Sequence, residues 1–335
     1  MTKSIYYVNT NNGCNNSCIG CGISRSCLGS KEGRDYSEIV NDLNLGKKKG
    51  FKIVHIAGGE NTIQKNYFDI LKKAKQLYKE VYTTTNGRML SYKKFAAKLI
   101  KVNPTSICIS LYGHNKKLHE EWSQTPNSFN QTVKGIINMF PIKDKITINV
   151  VLWRKNYKYL SNILSFIKQL GIKSVCLLNI LPTGRGKEIY DKLYINLKEL
   201  SVLENSIIPF LDFFHSIEIE DFPLCVFSRE FRKKKNVHIK DLSTSIKRDS
   251  TGEIVDLGLF MVEEMGITML NSIQLIEQVK KFKPDPNKFI RKINTCKLCK
   301  NNKLCKGIFV QYLKTRKIKN VEKELSFLIN KNNYM

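Results

Sequence analysis

Acidic side chains are scarce in this chain of 335 residues. Only 29 Asp and Glu stand against 56 Lys and Arg, a formal net charge of +27. Such a balance favours an acidic partner: nucleic acid, an acidic peptide or a phosphorylated metabolite. The N-terminal MTKSIYYVNT lacks the apolar stretch and small-residue cleavage site of a secretory signal. No apolar run approaches the roughly 18 residues that a membrane-spanning helix needs. These absences place the chain in the cytoplasm and off the membrane, where disulfides are rare. Ten cysteines in that compartment call for a metal or redox role rather than a framework of bridges.

The positive charge is unevenly spread. From Lys281 to Met335 there are 15 Lys and Arg against Asp285, Glu322 and Glu324, and RKKKNVHIK occupies 232–240. Abundant Lys, Asn and Ile are also what AT-rich coding produces, so a solvated lysine face stands beside a binding surface as the reading.

Apolar period and Gly/Pro punctuation predict strands at 5–10, 52–57, 81–87, 106–113, 145–152 and 173–181, with helices over 36–50, 67–79, 92–100, 129–140 and 159–171. Six strands alternating with helices predict an α/β fold, either an open parallel sheet or a partial (β/α)6 TIM-like barrel with its helices outside. Ligand sites in such folds lie at the carboxyl ends of the strands. Beyond residue 190 the rhythm changes: a helix over 197–214, a strand-like piece ending at Cys225, a hairpin within 237–258 around the turn DSTG, and a cysteine-bearing tail. The expected division is a core over 1–215 and a small second domain over 216–335.

GCNNSCIGC (13–21) places Cys14, Cys18 and Cys21 on a loop after the first strand. Spacings this short let one loop wrap one metal centre. Three thiolates suit zinc with a water, or a four-iron cluster with one iron lacking a protein ligand. Spacing does not choose between them. The sharp break GGE (58–60) follows the second strand, TTNG (84–87) the third and PTGRG (182–186) the sixth.

C-x3-C-x2-C followed by GGE and repeated βα units resembles the radical S-adenosylmethionine (radical SAM) superfamily over about residues 5–190. The resemblance implies that Cys14, Cys18 and Cys21 ligate a [4Fe-4S] cluster whose open iron binds S-adenosylmethionine (SAM). It implies that Gly58, Gly59 and Glu60 meet the SAM amino group. By position, Asn86, Ser110, Asn149 and Leu181 line the SAM pocket. Reductive cleavage of SAM then gives a 5′-deoxyadenosyl radical that takes a substrate hydrogen. The family places an aromatic residue just before the third cysteine, where this chain has Gly20. Cys27, close to the loop, is a candidate hydrogen donor to a substrate radical. Cys108 and Cys176 fall in strands and read as small buried hydrophobes.

At the other end, C-x2-C-x5-C supplies Cys296, Cys299 and Cys305, and Cys225 in DFPLC completes a set of four. A four-cysteine extension resembles the SPASM or twitch domains that hold an auxiliary cluster in this superfamily. Four thiolates satisfy one [4Fe-4S] cluster; a structural zinc is the alternative.

Radical SAM cores with such tails often mature ribosomally made peptides, through crosslinks, thioethers or epimerised centres. A peptide-modifying enzyme is therefore the leading expectation, although the chain enters its first strand without a leader-binding domain. A small-molecule dehydrogenase or cofactor-biosynthesis enzyme is the alternative, and RNA modification ranks lower because no RNA-binding module is legible. An iron–sulfur or zinc scaffold for nucleic acid is the non-enzyme reading. Expected partners are a peptide or small-molecule substrate and an electron donor such as flavodoxin or ferredoxin.

Overall fold

The stretch ITINVVL buries Ile146, Ile148, Val150 and Leu152 and half-exposes the residues between them, as a strand with one dry face must. In the computed structural model, which describes residues 5–22, 33–240, 247–248, 254–256 and 288–333, it is the fifth of eight strands. They are β1 (Ile5–Asn9), β2 (Ile53–Ala57), β3 (Glu80–Thr85), β4 (Ser106–Ser110), β5 (Ile146–Leu152), β6 (Ser174–Asn179), β7 (Ser216–Glu220) and β8 (Val237–Lys240). All pair in parallel and in chain order.

Between them run α1 (Tyr36–Lys48), α2 (Tyr67–Leu77), α3 (Lys93–Val102), α4 (Lys116–Ser123), α5 (Ser128–Asn138) and α6 (Leu160–Gln169). In α2 the buried residues are Tyr67, Ile70, Leu71 and Ala74; in α6 they are Leu160, Ile163, Leu164 and Ile167. Both sets follow the i, i+3, i+4, i+7 rows of one helix face. They join Val8, Val54, Ile56, Ile107, Ile109, Ile148, Val175 and Ile217 in one buried core on the sheet's outer side.

The inner side is different. Tyr7, His55, Thr84, Cys108, Asn149, Glu218 and Glu220 remain partly exposed there. Charges reach across it: Cys108 on β4 senses Glu218 and Glu220 on β7, and His55 on β2 senses Lys240 on β8. The sheet is a curled half-barrel, an α/β fold of the expected kind.

It has eight strands where the sequence predicts six in the core, and the strand-like piece ending at Cys225 supplies the seventh. SIEIE and VHIK put charged residues at every second position, so β7 and β8 lack the apolar run that marks the first six. Both lie past residue 215, so the sheet continues beyond the expected end of the core. Val237–Lys240 belongs to this sheet rather than to a hairpin; β9 (Lys247–Arg248) and β10 (Ile254–Asp256) pair antiparallel on either side of DSTG. The helix expected over 197–214 is broken into Leu197–Leu200, Leu203–Ile207 and a 3-10 turn at Ile208–Phe210. Pro209, with no N–H to donate, accounts for the last break.

The tail is anchored to this frame. β11 (Ile290–Arg291) pairs with β12 (Ile308–Phe309) and closes the base of the cysteine segment. Then follow α7 (Val310–Arg316) and α8 (Ile318–Asn333). The N–H of Leu197 donates to the Tyr312 hydroxyl (2.9 Å) and to Glu324 Oε2 (3.1 Å), and Tyr312 donates to the same carboxylate (2.5 Å). Arg316 Nε donates to Glu324 Oε1 at 3.0 Å. Among the described residues, no helix is long and apolar enough to cross a membrane.

Two outcomes follow from these buried groups. Glu324→Ala strands the Tyr312 and Arg316 donors while the Leu197 N–H keeps the Tyr312 hydroxyl, and urea unfolding should show a loss of about 2–3 kcal/mol, below the loss for a fully buried pair because Arg316 remains partly exposed. His119 in α4 is wholly buried, accepts from the Tyr112 N–H, and burial pushes its pKa down to about 3, with Arg88 adding. As pH falls from about 6.5 towards 3, the unfolded chain binds a proton that the folded chain refuses. Stability should therefore fall by about 1.4 kcal/mol per pH unit from this group, and His119→Leu should flatten that slope in urea titrations.

Candidate functional site

β1 ends at Asn9, and Thr10 N donates to Ala57 O (2.9 Å), turning the cysteine loop over the strand ends. The loop is pinned on both sides. Gly59 N donates to Asn11 O and Glu60 N to Gly13 O, both at 2.8 Å. A Cβ at Gly59 would lie 2.3 Å from Gly13 O, and one at Gly58 would lie 2.6 Å from Asn11 O. The two glycines permit backbone to lie directly on backbone. On the far side, Ser17 N donates to Ser123 O (3.0 Å) and Ile19 N to Trp122 O (2.9 Å).

Glu60 follows the two glycines at the end of β2. Its carboxylate is buried and accepts from Thr62 N (3.1 Å), Thr62 Oγ1 (2.5 Å), Thr85 Oγ1 (2.6 Å) and Asn86 N (2.6 Å). Its carbonyl accepts from Asn11 Nδ2 at 3.0 Å. The side chain thus joins the ends of β2 and β3. Burial raises its pKa, and the four donors oppose that rise.

Asn86 carries the connection onward. Its Nδ2 donates to Asn15 Oδ1 (2.6 Å) and reaches Cys14 Sγ at 3.9 Å. It therefore supports the thiol loop from below. Arg88 donates from Nη1 to Asn15 O and Asn16 Oδ1, and from Nε to Gln131 Oε1 (2.6 Å).

The three thiols sense one another. Burial, with Glu60 and Cys21 adding, pushes the Cys14 thiol up to about 11, against hydrogen bonds from Asn16 and Asn86. Burial raises Cys18 further, Cys21 and Cys14 adding, while its Sγ lies 3.8 Å from the Tyr112 hydroxyl. Such a group gains from a cation that would hold all three as thiolates.

PTGRG folds onto the same loop. Arg185 Nη1 donates to Ser17 O (2.9 Å), and a Cβ on Gly184, whose φ is +50°, would meet Cys21 O at 2.6 Å. A Cβ at Gly20 would come within 2.4 Å of the Trp122 ring. Trp122 of α4 thus holds the space that an aromatic residue at position 20 would enter.

Ser110, the last residue of β4, is the register partner of Asn149 in the middle of β5, and Leu181 is half-buried just past β6. Asn149 Oδ1 is a buried acceptor with no hydrogen-bond partner among the described residues. Cys27 lies outside the described residues.

At the tail, Cys225, Cys296, Cys299 and Cys305 line one narrow cavity with Pro223, Lys292 and Ile308. Cys225 sits on the turn Leu224–Val226 between β7 and β8. Burial raises its thiol well above the ordinary value, and Cys305, Cys299 and Cys296 add to the rise. Arg232 Nη2 bonds Asn301 Oδ1 (2.9 Å) and ties the two segments together.

Several site residues escape sequence reasoning. Arg88, Arg185, Tyr112 and Trp122 lie outside any cysteine or glycine motif or act through backbone groups. On the inner wall, ligand atoms of Cys176, Glu218 and Glu220 lie within 4.8 Å of one another, and Lys240 Nζ bridges the carboxylates at 2.6 and 2.5 Å. Cys108 and Cys176 do fall in strands, but on this face. The alternating charges of SIEIE were the available signal.

Gly59→Ala should separate the loop from the β2 turn. Labelling of Cys14 and Cys18 by a thiol reagent, followed by mass spectrometry, should then quicken by about tenfold or more, as local opening becomes easier.

Comparison with known proteins agrees with this geometry. The radical SAM superfamily model matches residues 8–167. A probable GTP 3′,8-cyclase of Sulfurisphaera tokodaii is 30% identical over 191 residues, covering 53% of this chain and 56% of the relative; its counterpart from Sulfolobus acidocaldarius is 29% identical over 184 residues, with the same coverage. The chain thus spans little more than half the length of these curated relatives. Streptococcus suis SuiB bound to S-adenosylmethionine superposes with a TM-score of 0.62 at 17% identity, over 93% of this chain and 74% of that one. The anSMEcpe structure with bound AdoMet and Kp18Cys peptide gives 0.60 at 16% identity over 99% of both chains. These likenesses are of fold. Residues 8–167, headed by the three-thiol loop, are similar to the radical SAM superfamily.

Proposed function

We propose that the chain is a radical SAM enzyme that modifies a ribosomally made peptide. The observation that carries the reading is the loop of Cys14, Cys18 and Cys21, three mutually coupled thiols held at the carboxyl end of an open half-barrel. The residues fit a four-iron cluster with one open iron. Among the described residues neither thiol set brings three sulfurs within 4.8 Å, whereas tetrahedral zinc at about 2.3 Å per bond would draw them to about 3.8 Å. When bound, cluster and SAM supply a 5′-deoxyadenosyl radical for hydrogen abstraction.

The chain's own part is positioning. Because Glu60 braces the loops, the role of meeting the SAM ammonium passes to the carbonyls of Gly58 and Gly59. Asn149 Oδ1 offers an unused acceptor two strands from Thr85, with Ser110 beside it and Leu181 at the rim. Trp122, rather than a residue at position 20, supplies aromatic surface next to the third cysteine. Cys27 is retained as a candidate hydrogen donor.

Cys225, Cys296, Cys299 and Cys305 are proposed to hold a second, fully ligated cluster, an electron acceptor for a substrate radical. The convergence of all four on one cavity supports this. With Cys225 between β7 and β8, such a centre would be built jointly by the sheet and the 288–333 segment.

Peptide modification is favoured because fold likeness to peptide-bound structures runs through the tail. A half-barrel also leaves an extended substrate room at its open side. A second reading, a nucleotide-type small molecule, is favoured by the names of the curated relatives.

Iron content and SAM cleavage test the reading. Anaerobically reconstituted protein should hold about eight irons, and the C14A/C18A/C21A variant about four. Cys14→Ala should abolish 5′-deoxyadenosine formation. Cys299→Ala should keep some cleavage and lose substrate turnover. No iron in wild type would sink the proposal, and full turnover by Cys299→Ala would remove the second cluster's role.

A further inference from the structure

The tail segment CKLCKNNKLCK (296–306) places two leucines where water would be expected to select polar residues. Leu298 is 75% exposed and Leu304 is 73% exposed, more than any other large hydrophobic residue described. Each directly precedes a thiol of the four-cysteine cavity, Cys299 or Cys305. Lys297, Lys300 and Lys303 are exposed around them. From Lys288 to Asn320 there are 11 Lys and Arg and no Asp or Glu. A merely solvated lysine face accounts for the charge but not for paired leucines at its centre. Apolar residues rimmed by one sign of charge mark an interaction surface.

We propose that this knuckle is the docking surface for an acidic protein that carries a one-electron redox group. The inference rests on the reading that the tail thiols hold a cluster. Lysines would steer and orient an acidic partner, and the leucines would form the water-excluding centre of the contact. The position selects a redox partner over a substrate peptide, because a molecule seated on Leu298 and Leu304 lies against the thiol cavity.

Binding of oxidised flavodoxin, as a probe acidic redox protein, to the reconstituted full chain tests this by calorimetry. K297E/K300E/K303E should weaken the Kd by about tenfold or more, L298S/L304S by about threefold or more, and K93E/K94E/K101E, on exposed lysines of α3, by less than about twofold. Equal weakening by the α3 variant would overturn the proposal in favour of general charge attraction. So would an unchanged Kd for L298S/L304S, or preferential binding of a polyglutamate peptide or single-stranded RNA through the same residues. Thermal melts of the leucine variant, altered only at exposed positions, check folding independently. Iron content of the same samples separates the two readings. Tail iron present with patch-independent binding sinks the docking surface alone; tail iron absent sinks the second cluster, and the docking proposal with it.

Discussion

The Glu60 carboxylate is the constraint on which the site depends. It gathers donors from Thr62, Thr85 and Asn86 in a place water does not reach. A buried carboxylate is costly unless it is hydrogen-bonded, and here three donors reach Oε1 and one reaches Oε2. The result is a fixed spacing between the ends of β2 and β3. Asn86 and Asn11 extend that spacing to the cysteine loop. Three strand ends therefore behave as one rigid lip, which is what a loop with only short-range structure needs in order to present three thiols in constant geometry.

Around that lip the division of labour is clear. Apolar rows on the helices and the outer face of the sheet make the core, while the inner face is left polar and partly open. Parallel sheets are usually covered on both faces. Leaving one half-open costs packing and creates a cavity wall. The wall carries Cys108, Cys176, Glu218, Glu220 and Lys240, groups that a purely structural interior would avoid.

Much of this was legible in the chain. The first six strands announce themselves through β-branched apolar runs, and Cys14, Cys18 and Cys21 through spacing. Glycines at 58 and 59 also stood out, because breaks after strands are readable. Their physical role is backbone contact with Asn11 and Gly13, which no local pattern discloses. The resemblance sets Glu60 toward SAM, and only tertiary structure reveals that its carboxylate also takes donors from Thr85 and Asn86. β7 falls in the strand-like piece that ends at Cys225 and β8 at the start of the expected hairpin, but their charge at alternate positions, the feature that lines the inner wall, concealed that both extend the parallel sheet. Cys225 joined the tail triplet by count, and the cavity it shares with them is a long-range property.

The short last strand has a consequence for self-association. An uncovered edge of parallel strands is a template on which a second chain can add its own backbone. β8 is four residues long, and Lys240 points its ammonium inward at the Glu218 and Glu220 carboxylates. Among the described residues, a copy attempting to extend the sheet there would find only a four-residue strand to pair with. So short a last strand disfavours edge-to-edge aggregation.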